Sequence, residues 1–525
     1  MRTARRTVGL ITAVALAAGA CSSGGDTADD RLVLAESQPL NSFNPLTGYG
    51  ELGVSPLYDG LYRPDAGTDA QVPNLVPALA AAAPERIGPR TWRIPLRSGV
   101  TFSDGSAFDA ADVAATYRAA RDPKVAADIA THVAPVEDVT AEGDGAVTVR
   151  LSTDGDPTPY LLLGIAPSER VEERPAAEWT LNRAPVGTGP YRLDSLANDQ
   201  AVLTARTDRG EQPAVRRVVY TLVPDDNARA QRVRAGEVDG ALLPPKLAAS
   251  LDGRDGVRTM TVKSADWRGV SMPAGNLFTA DPAARRAMNL GVDRAAIVSG
   301  VLAGAGEPAS TPYSSVYGAA YEPAAQIAVD TAGAARVLDE AGWRAGPDGV
   351  RTRDGRTASF PLLYNAQDTV RRDLAVAFAA AMKPLGIAVT PQGSSWDDIE
   401  KRTGDAAILL GGGETPFSID AQGYDALHTR VPNSSPYSNP GDFTAPGLDV
   451  LLDRARNLGP GPEKDATYRE VQRTYVAQPS AVYLAHLHHV YAVRSAGWSF
   501  APPILEPHAH GVTWGPWWNL PSWKR

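Results

Sequence analysis

The chain has 525 residues, of which 43% are hydrophobic, and it carries a formal net charge of −9. This length and apolar content predict two or three folded domains with substantial cores. The acidic balance argues against nucleic acid as a partner, because binding to phosphates needs a basic surface. The single cysteine excludes an intramolecular disulfide framework and a metal site of the CxxC type.

The start of the chain has the organisation of an export signal. Three arginines precede an apolar stretch over residues 8–20, and Cys21 follows directly. The stretch is shorter than the about 20 residues that a membrane-spanning helix needs. We therefore expect a lipoprotein signal peptide over residues 1–20, acylation of the Cys21 thiol, and a flexible polar tether over residues 21–30.

Short strands and helices alternate after the tether. The pattern predicts an apolar strand at 31–35 and an alternating one at 92–97, where Pro95 favours a position near a sheet edge. Asp109 and Asp112 have the spacing of a helix capping box, with Asp in place of Glu. The side chains that then share one helical face are Val113, Thr116, Tyr117 and Ala120.

A strand, a helix and a second strand are predicted over residues 218–224, 225–235 and 236–243. Asp225 or Asp226 suits the N-cap of this helix, and the C-cap suits Gly236.

Five segments in sequence order carry the motifs of one family: residues 99–118, 185–193, 218–243, 282–297 and 334–343. They resemble the signature elements of the extracellular solute-binding proteins, family 5. Members of this family capture peptides, nickel complexes and similar small solutes for ABC importers.

The resemblance implies an α/β fold with two lobes of the periplasmic-binding-protein type (type II, cluster C). On this pattern we expect the first lobe at residues 31–266 and 483–525, and the second at 267–482. An extra subdomain of the first lobe is expected at about residues 58–180. The two lobes would close on the solute like a clam.

The implied function is that of a monomeric receptor on the extracytoplasmic face of the cell membrane. It would be held there by a lipid anchor and would deliver short peptides to the permease and ATPase subunits of an importer. The sequence contains no HExxH, GxSxG, SxxK or P-loop motif, so we expect neither an enzyme nor a cofactor.

Peptide-binding members pair the peptide amino terminus with an acidic residue of the second lobe. In the corresponding segment, residues 408–425, that acid would be Glu414 or alternatively Asp420, although a solvated loop position explains Glu414 equally well. Aromatic and polar residues elsewhere are further candidates for the cleft. These are Tyr49, Glu51 and Trp514.

The alternative ligand is nickel or another metal chelate. His486 and His488 would share one face of a strand, and His508 and His510 would form a second pair. Imidazole suits nickel and zinc. Packing explains such histidine pairs as well.

Overall fold

A computed structural model describes most of the chain. The described residues are 30–210, 212–431, 434–494, 497–508 and 511–525. The expected signal peptide, Cys21 and His510 lie outside these ranges. None of the helices in the described ranges is long and apolar enough to cross a membrane.

The strands and helices of the described residues are numbered in chain order. The strands are β1 (Arg31–Glu36), β2 (Tyr62–Pro64), β3 (Leu75–Pro77), β4 (Glu85–Gly88), β5 (Thr91–Pro95), β6 (Val136–Glu142), β7 (Ala146–Leu151), β8 (Tyr191–Leu196), β9 (Gln200–Ala205), β10 (Arg217–Leu222), β11 (Gly240–Leu243), β12 (Arg258–Val262), β13 (Trp267–Ser271), β14 (Gly306–Pro308), β15 (Arg344–Ala345), β16 (Arg351–Arg353), β17 (Arg356–Thr357), β18 (Ser359–Asn365), β19 (Ala388–Ser394), β20 (Ala407–Gly412), β21 (Val482–Leu487) and β22 (His489–Val493). The helices are α1 (Ala110–Arg121), α2 (Asp226–Ala235), α3 (Pro245–Ala249), α4 (Pro282–Leu290), α5 (Arg294–Gly300), α6 (Thr331–Glu340), α7 (Thr369–Met382), α8 (Trp396–Glu400), α9 (Ile419–Leu427), α10 (Leu448–Arg456) and α11 (Pro462–Ala477).

Two mixed sheets organise the two α/β lobes. The first sheet has the strand order β12-β22-β11-β1-β10-β9-β8, and the second has the order β14-β21-β13-β20-β18-β19. In the first, β1 pairs in parallel with β10 and β11. In the second, β18 pairs in parallel with β19 and β20. Helices α2 and α3 pack on the first sheet, and α5 and α7 pack on the second.

A smaller antiparallel sheet, in the order β4-β5-β7-β6, packs against α1 within the range expected for the extra subdomain, and we keep that name for residues 58–180. The capping box predicted for α1 is present: the Asp109 carboxylate accepts from Ala111 N at 2.7 Å, and the Asp112 carboxylate accepts from Asp109 N at 2.9 Å. The four residues predicted for one face of α1 are all buried. The caps predicted for α2 are also confirmed, with Asp225 at its start and Gly236 at its end.

The chain passes twice between the two sheets, from β12 to β13 and from β21 to β22. Because β21 pairs with β13 and β14, the return crossing lies at His488. We expected the second lobe to end at residue 482. That residue is the first of β21, and the whole of β21, to Leu487, belongs to the second sheet. A third segment runs beside the crossings, since Ala265 N donates to Glu506 O at 2.8 Å and Glu506 N donates to Lys263 O at 3.1 Å. We call residues 263–266, 488 and 504–508 the hinge.

The turn before β8 is built on close backbone contact. Ideal Cβ atoms added to Gly187 and Gly189 would lie 2.1 Å from the carbonyl oxygen and 2.4 Å from the carbonyl carbon of Leu57, respectively. No side chain fits at such distances, so glycine is required for this packing. Gly189 N also donates to Leu57 O at 2.9 Å.

Candidate functional site

A cavity of about 530 Å³ lies between the two lobes. The second lobe contributes parts of β13, β20 and α9 to its lining. The extra subdomain contributes Thr131, His132, Ala134, Pro135, Ser152 and Tyr160. His508 of the hinge completes one wall. The volume lies within the range of about 300–1,000 Å³ that is typical of small-molecule pockets.

The lobes touch each other near this cavity. The Tyr160 hydroxyl lies 3.4 Å from Ser418 Oγ, and the Thr369 hydroxyl donates to the Asp226 carboxylate at 2.9 Å. Phe417, in the loop after β20, packs into the hydrophobic core of the first lobe. Both polar contacts join residues of different lobes, so they depend on how the lobes are arranged.

Three consecutive glycines, the last two residues of β20 and the residue after it, shape one wall of the cavity. An added Cβ would lie 2.5 Å from the His508 ring at Gly411 and 2.4 Å from the Trp267 ring at Gly412. Gly413 has a left-handed φ of 108°, which disfavours other residues. The glycines thus let two ring systems approach the backbone, and they turn the chain towards α9.

Asp420, one of the two predicted acids, lines the cavity but already has protein partners. Its carboxylate accepts from Arg456 Nη2 at 3.0 Å and from the Tyr468 hydroxyl at 3.3 Å. The guanidinium of Arg456 also lies over the Tyr424 ring, 3.4 Å from its centroid. Asp420 is 6% exposed, so this ion pair is shielded from bulk water.

Glu414, the other predicted acid, is more open. Its side chain is 40% exposed and belongs to the cavity lining. The nearest ionisable partner is His508, whose Nε2 lies 3.8 Å from Glu414 Oε1. That distance is too long for a hydrogen bond, so the carboxylate keeps its capacity to accept.

Arg371, in the first turn of α7, brings a buried positive charge to the cavity. Its Nη1 donates to Asp368 at 2.8 Å, and its guanidinium lies 5.1 Å from the centre of the Trp396 ring. Burial lowers the pKa of Arg371 to about 10, which still leaves the group charged at neutral pH. Among the described residues, its Nε has no hydrogen-bond partner.

The wall formed by the extra subdomain carries an ion pair. His132 Nδ1 lies 2.9 Å from the Glu51 carboxylate, so Glu51 reaches the cavity through this histidine. Burial opposes protonation of His132, but Glu51, followed by Glu414 and Asp425, raises its pKa. The last two acids belong to the second lobe, so the charges of both lobes interact here.

An ionic cluster in the hinge lies behind the cavity. The Asp266 carboxylate is fully buried and contacts Arg268 Nη2 at 2.7 Å, His508 Nδ1 at 2.8 Å and His489 Nε2 at 3.4 Å. His489 Nδ1 lies 2.6 Å from Glu506. The cluster joins both crossings to the segment that ends at His508, and His508 also faces the cavity.

Two further candidates lie away from the lining described for the cavity. Tyr49 is half-buried and packs edge-on against Phe43, with ring centroids 5.0 Å apart. Trp514 is buried in the hydrophobic core of the first lobe. Both rings therefore stabilise the first lobe.

The candidate metal ligands do not form one group. His486 is buried in β21, where burial lowers its pKa to about 4, and His488 Nε2 lies 3.8 Å from Glu307. His508 belongs to the hinge cluster. Within the described ranges, no three His, Cys, Asp or Glu side chains are arranged so as to hold a metal ion.

Four residues of the cavity lining with acidic or basic side chains were not predicted: His132, Arg371, Asp425 and Arg456. Asp425 ends the very segment in which Glu414 and Asp420 were chosen. A helix beginning near Ile419 would have placed it on one face with Gln422, so helical periodicity was a usable signal. His132 is distant in sequence from the second lobe, and only the folded chain brings it to the cavity.

Comparison with known proteins agrees with this architecture. The model of bacterial extracellular solute-binding proteins, family 5 (middle), matches residues 74–430. Protein XP55 of Streptomyces lividans is 37% identical over 497 residues, which cover 92% of this chain and 90% of that protein. The oligopeptide-binding protein AppA of Bacillus subtilis is 26% identical over 465 residues, covering 82% and 83%.

Two solved structures have the same fold. NikZ from Campylobacter jejuni in complex with Ni(L-His) matches with a TM-score of 0.82 and 21% identity, covering 95% of this chain and 100% of that one. AppA from Bacillus subtilis in complex with a nonapeptide matches with a TM-score of 0.77 and 22% identity, covering 94% and 98%. The expected two-lobed periplasmic-binding-protein fold is confirmed. The chain belongs to the bacterial extracellular solute-binding proteins, family 5.

Proposed function

We propose that this protein is the receptor of an ABC importer and that it captures short peptides in the cavity between its lobes. The observation that carries the proposal is the pair of opposite charges at the cavity, the Arg371 guanidinium and the open Glu414 carboxylate. A short peptide carries both complementary groups at its ends. AppA, a relative over most of the chain, is named as an oligopeptide-binding protein.

The two groups have different geometric demands. A guanidinium presents N–H groups in a planar fork, which suits a peptide carboxylate. A carboxylate accepts from the three N–H groups of an ammonium. The rings of Trp267, Trp396 and Tyr437 also line the cavity and offer apolar surface for peptide side chains. No covalent step is needed, and delivery to the permease follows from closure of the lobes.

Calorimetry with unmodified and N-acetylated tripeptides tests this function. We expect binding of the unmodified peptides and a sharp loss on acetylation. Glu414→Ala should weaken binding by about 2–5 kcal/mol, the range for removing one partner of a buried charge pair. Glu470→Ala, which alters an exposed acid on α11, is the control and should bind as the unaltered protein does. A panel in which no peptide binds would refute the proposal.

A nickel chelate is the second candidate ligand. The fold match to NikZ with Ni(L-His), and the two imidazoles of His132 and His508 in the cavity lining, favour it. Nickel chloride should then bind in the presence of L-histidine, and acidification should weaken this binding, because protons compete with the metal for imidazole nitrogen. His508→Ala would reduce this binding, whereas the buried His486 would contribute nothing. Chelate binding without peptide binding would reverse our choice.

We also propose that Cys21 anchors the protein to the outer face of the membrane through a lipid and that the receptor works as a monomer. The basic start, the apolar stretch and the cysteine that follows support the anchor. Cys21→Ala should move the protein from the membrane fraction to the soluble fraction of the expressing cells. Equal membrane retention of both forms would contradict the anchor.

A further inference from the structure

One short loop, residues 413–418, connects a wall of the cavity with the first lobe. It follows β20 and leads into α9. Its first residue, Gly413, accepts a hydrogen bond from His508 N at 2.9 Å, so the loop begins at the hinge. Glu414 then lines the cavity, and three positions later the side chain of Phe417 packs in the core of the first lobe. The loop therefore touches the hinge, the cavity and the opposite lobe in turn.

Phe417 is the point at which the second lobe enters the first. Its ring is 7% exposed, and in the part of the chain that the structure describes it is the only buried apolar side chain of the second lobe in that core. The half-buried Ala421, on the helix that follows, packs against the same core. Phe417 does not belong to the lining of the cavity. Its ring therefore joins the two lobes at a place outside the solute cavity.

The residues on either side of Phe417 fix its backbone to the second lobe. The Tyr317 hydroxyl, in the second lobe, donates to Pro416 O at 3.0 Å. Ser418 is the N-cap of α9, and its Oγ accepts from Ala421 N at 3.4 Å. Proline also restricts the backbone directly before the ring. Because the ring is presented by a backbone that belongs to the second lobe, it must leave the first lobe when the lobes separate.

We propose that Phe417 is a positioning residue that couples solute binding to closure of the lobes. The inference rests on the proposed function in one respect, namely that the solute lies in the cavity beside Glu414. A solute at Glu414 holds the loop, and the loop holds the Phe417 ring in the first lobe. Separation of the lobes moves this ring from an apolar core into water, which is unfavourable. The closed form is therefore stabilised by a contact that the solute itself does not make.

The rate at which a thiol at this position is alkylated tests whether the side chain leaves the first lobe. Cys21 is the only cysteine of the chain, so a protein that begins at Ser22 and carries Phe417→Cys has a single thiol. This protein contains every residue that the structure describes. The probe is N-ethylmaleimide. The reference variants are Phe378→Cys, at a residue inside the second lobe that is 0% exposed, and Val450→Cys, at a residue that is 71% exposed.

In the empty protein we expect Phe417→Cys to react at least about 10-fold faster than Phe378→Cys and more slowly than Val450→Cys, because opening of the lobes exposes the thiol for part of the time. Saturating Ala-Ala-Ala should slow the reaction of Phe417→Cys by about 10-fold or more and leave both references unchanged. A rate that the bound tripeptide does not alter would overturn the proposal, whether that rate resembles the buried or the exposed reference.

The affinity for the solute distinguishes coupling from packing. Phe417→Ala should weaken binding of Ala-Ala-Ala by about 10-fold or more, mainly through faster dissociation, although the ring does not line the cavity. Phe417→Leu, which keeps much of the apolar volume, should recover most of the affinity. The control is Phe500→Ala, which removes a half-buried ring that packs on the same core from within the first lobe. It should lower the unfolding temperature and leave the affinity unchanged. Equal losses of affinity in both alanine variants would overturn the proposal.

The empty protein separates this proposal from the peptide function. If no tripeptide binds, the peptide function fails, and nickel chloride with L-histidine replaces the tripeptide in the same assays. If neither binds, the alkylation rate of the empty protein decides. A rate between those of the two references supports movement of the ring between the lobes, and a rate equal to either reference overturns it. Peptide binding that leaves the rate of Phe417→Cys unchanged supports the peptide function alone.

Discussion

His489 and His486 are close in sequence, yet their surroundings shift their pKa in opposite directions. Burial disfavours the charged form of both rings. For His489, hydrogen bonds with Asp266 and Glu506 outweigh burial and raise the pKa to about 9. For His486, burial dominates and lowers the pKa to about 4. His489 is therefore an imidazolium in the ionic cluster beside the hinge at neutral pH, whereas His486 is a neutral ring inside the second sheet.

The two shifts predict opposite effects of pH on stability. The stabilisation from His489 is fully present below its unfolded pKa near about 6.5, and it is lost as the pH rises through about 9. The change is on the order of 3 kcal/mol in the free energy of unfolding. Urea unfolding between pH 6.5 and pH 9 measures it, and His489→Gln should lose this slope. An unchanged slope in the variant would contradict the charged hinge.

The contribution of His486 to the pH dependence of stability has the opposite sign. Its unfolded form binds a proton that the folded form excludes, so stability should decrease as the pH falls from about 6.5 towards 4. His486→Phe is expected to flatten the acid side of the profile and to leave the alkaline side as it is.

The surroundings of an individual site residue could be predicted only where its partners are near it in the sequence. Glu414 was chosen from its segment, and it lines the cavity. Asp420 was chosen with it, but its partner Arg456 lies 36 positions later in the sequence. An ion pair over that distance depends on how α9 packs against α10, which sequence periodicity does not reveal.

At the scale of elements, the turn before β8 should be the least tolerant of added atoms. We expect Gly189→Ala to destabilise the protein by about 1–3 kcal/mol, because the new methyl group meets the backbone of Leu57 at 2.4 Å. Chemical unfolding measures the effect. Gly145→Ala is the matched control, since an added Cβ there meets no atom within 4 Å. Equal stabilities would show that the turn relaxes at little cost.

Elements defined by local chemistry were predicted well. The caps of α1 and α2 follow from side chains that bond to neighbouring backbone, and both are confirmed. Pro95 was expected near a sheet edge, and β5 lies next to the edge strand β4, whose pairing with β5 does not extend beyond Arg93. Pro95 is the last residue of β5, where the missing N–H is tolerated inside a sheet.

At the scale of the whole molecule, the contacts between the lobes should help to hold the solute. Thr369→Val removes the bond to Asp226, and Asp226 keeps its ion pair with Arg229. We expect the affinity for a bound peptide to fall by about 2–10-fold, while the free energy of unfolding changes by less than about 0.5 kcal/mol. Thr140→Val, which removes a bond within the extra subdomain, is the control.

Solution scattering provides an independent check of closure. A bound solute should reduce the radius of gyration of the unaltered protein, and Thr369→Val should need more solute for the same reduction. A solute that binds tightly and leaves the radius of gyration unchanged would contradict closure.

The two-lobed architecture was predictable from the resemblance of five segments. The charge of the cavity was not, because it combines side chains from the extra subdomain, the second lobe and the hinge.

The strand order of the two sheets has a consequence for the synthesis of the protein. Strand β21 lies inside the second sheet and β22 inside the first, yet both are made within the last part of the chain. Each lobe therefore lacks an interior strand while the polypeptide is still growing, although domains commonly begin to fold in the order of their synthesis. Neither sheet can be complete before residues 482–493 have been synthesised. A nascent chain that ends before these residues therefore exposes the edges of both unfinished sheets to chaperones.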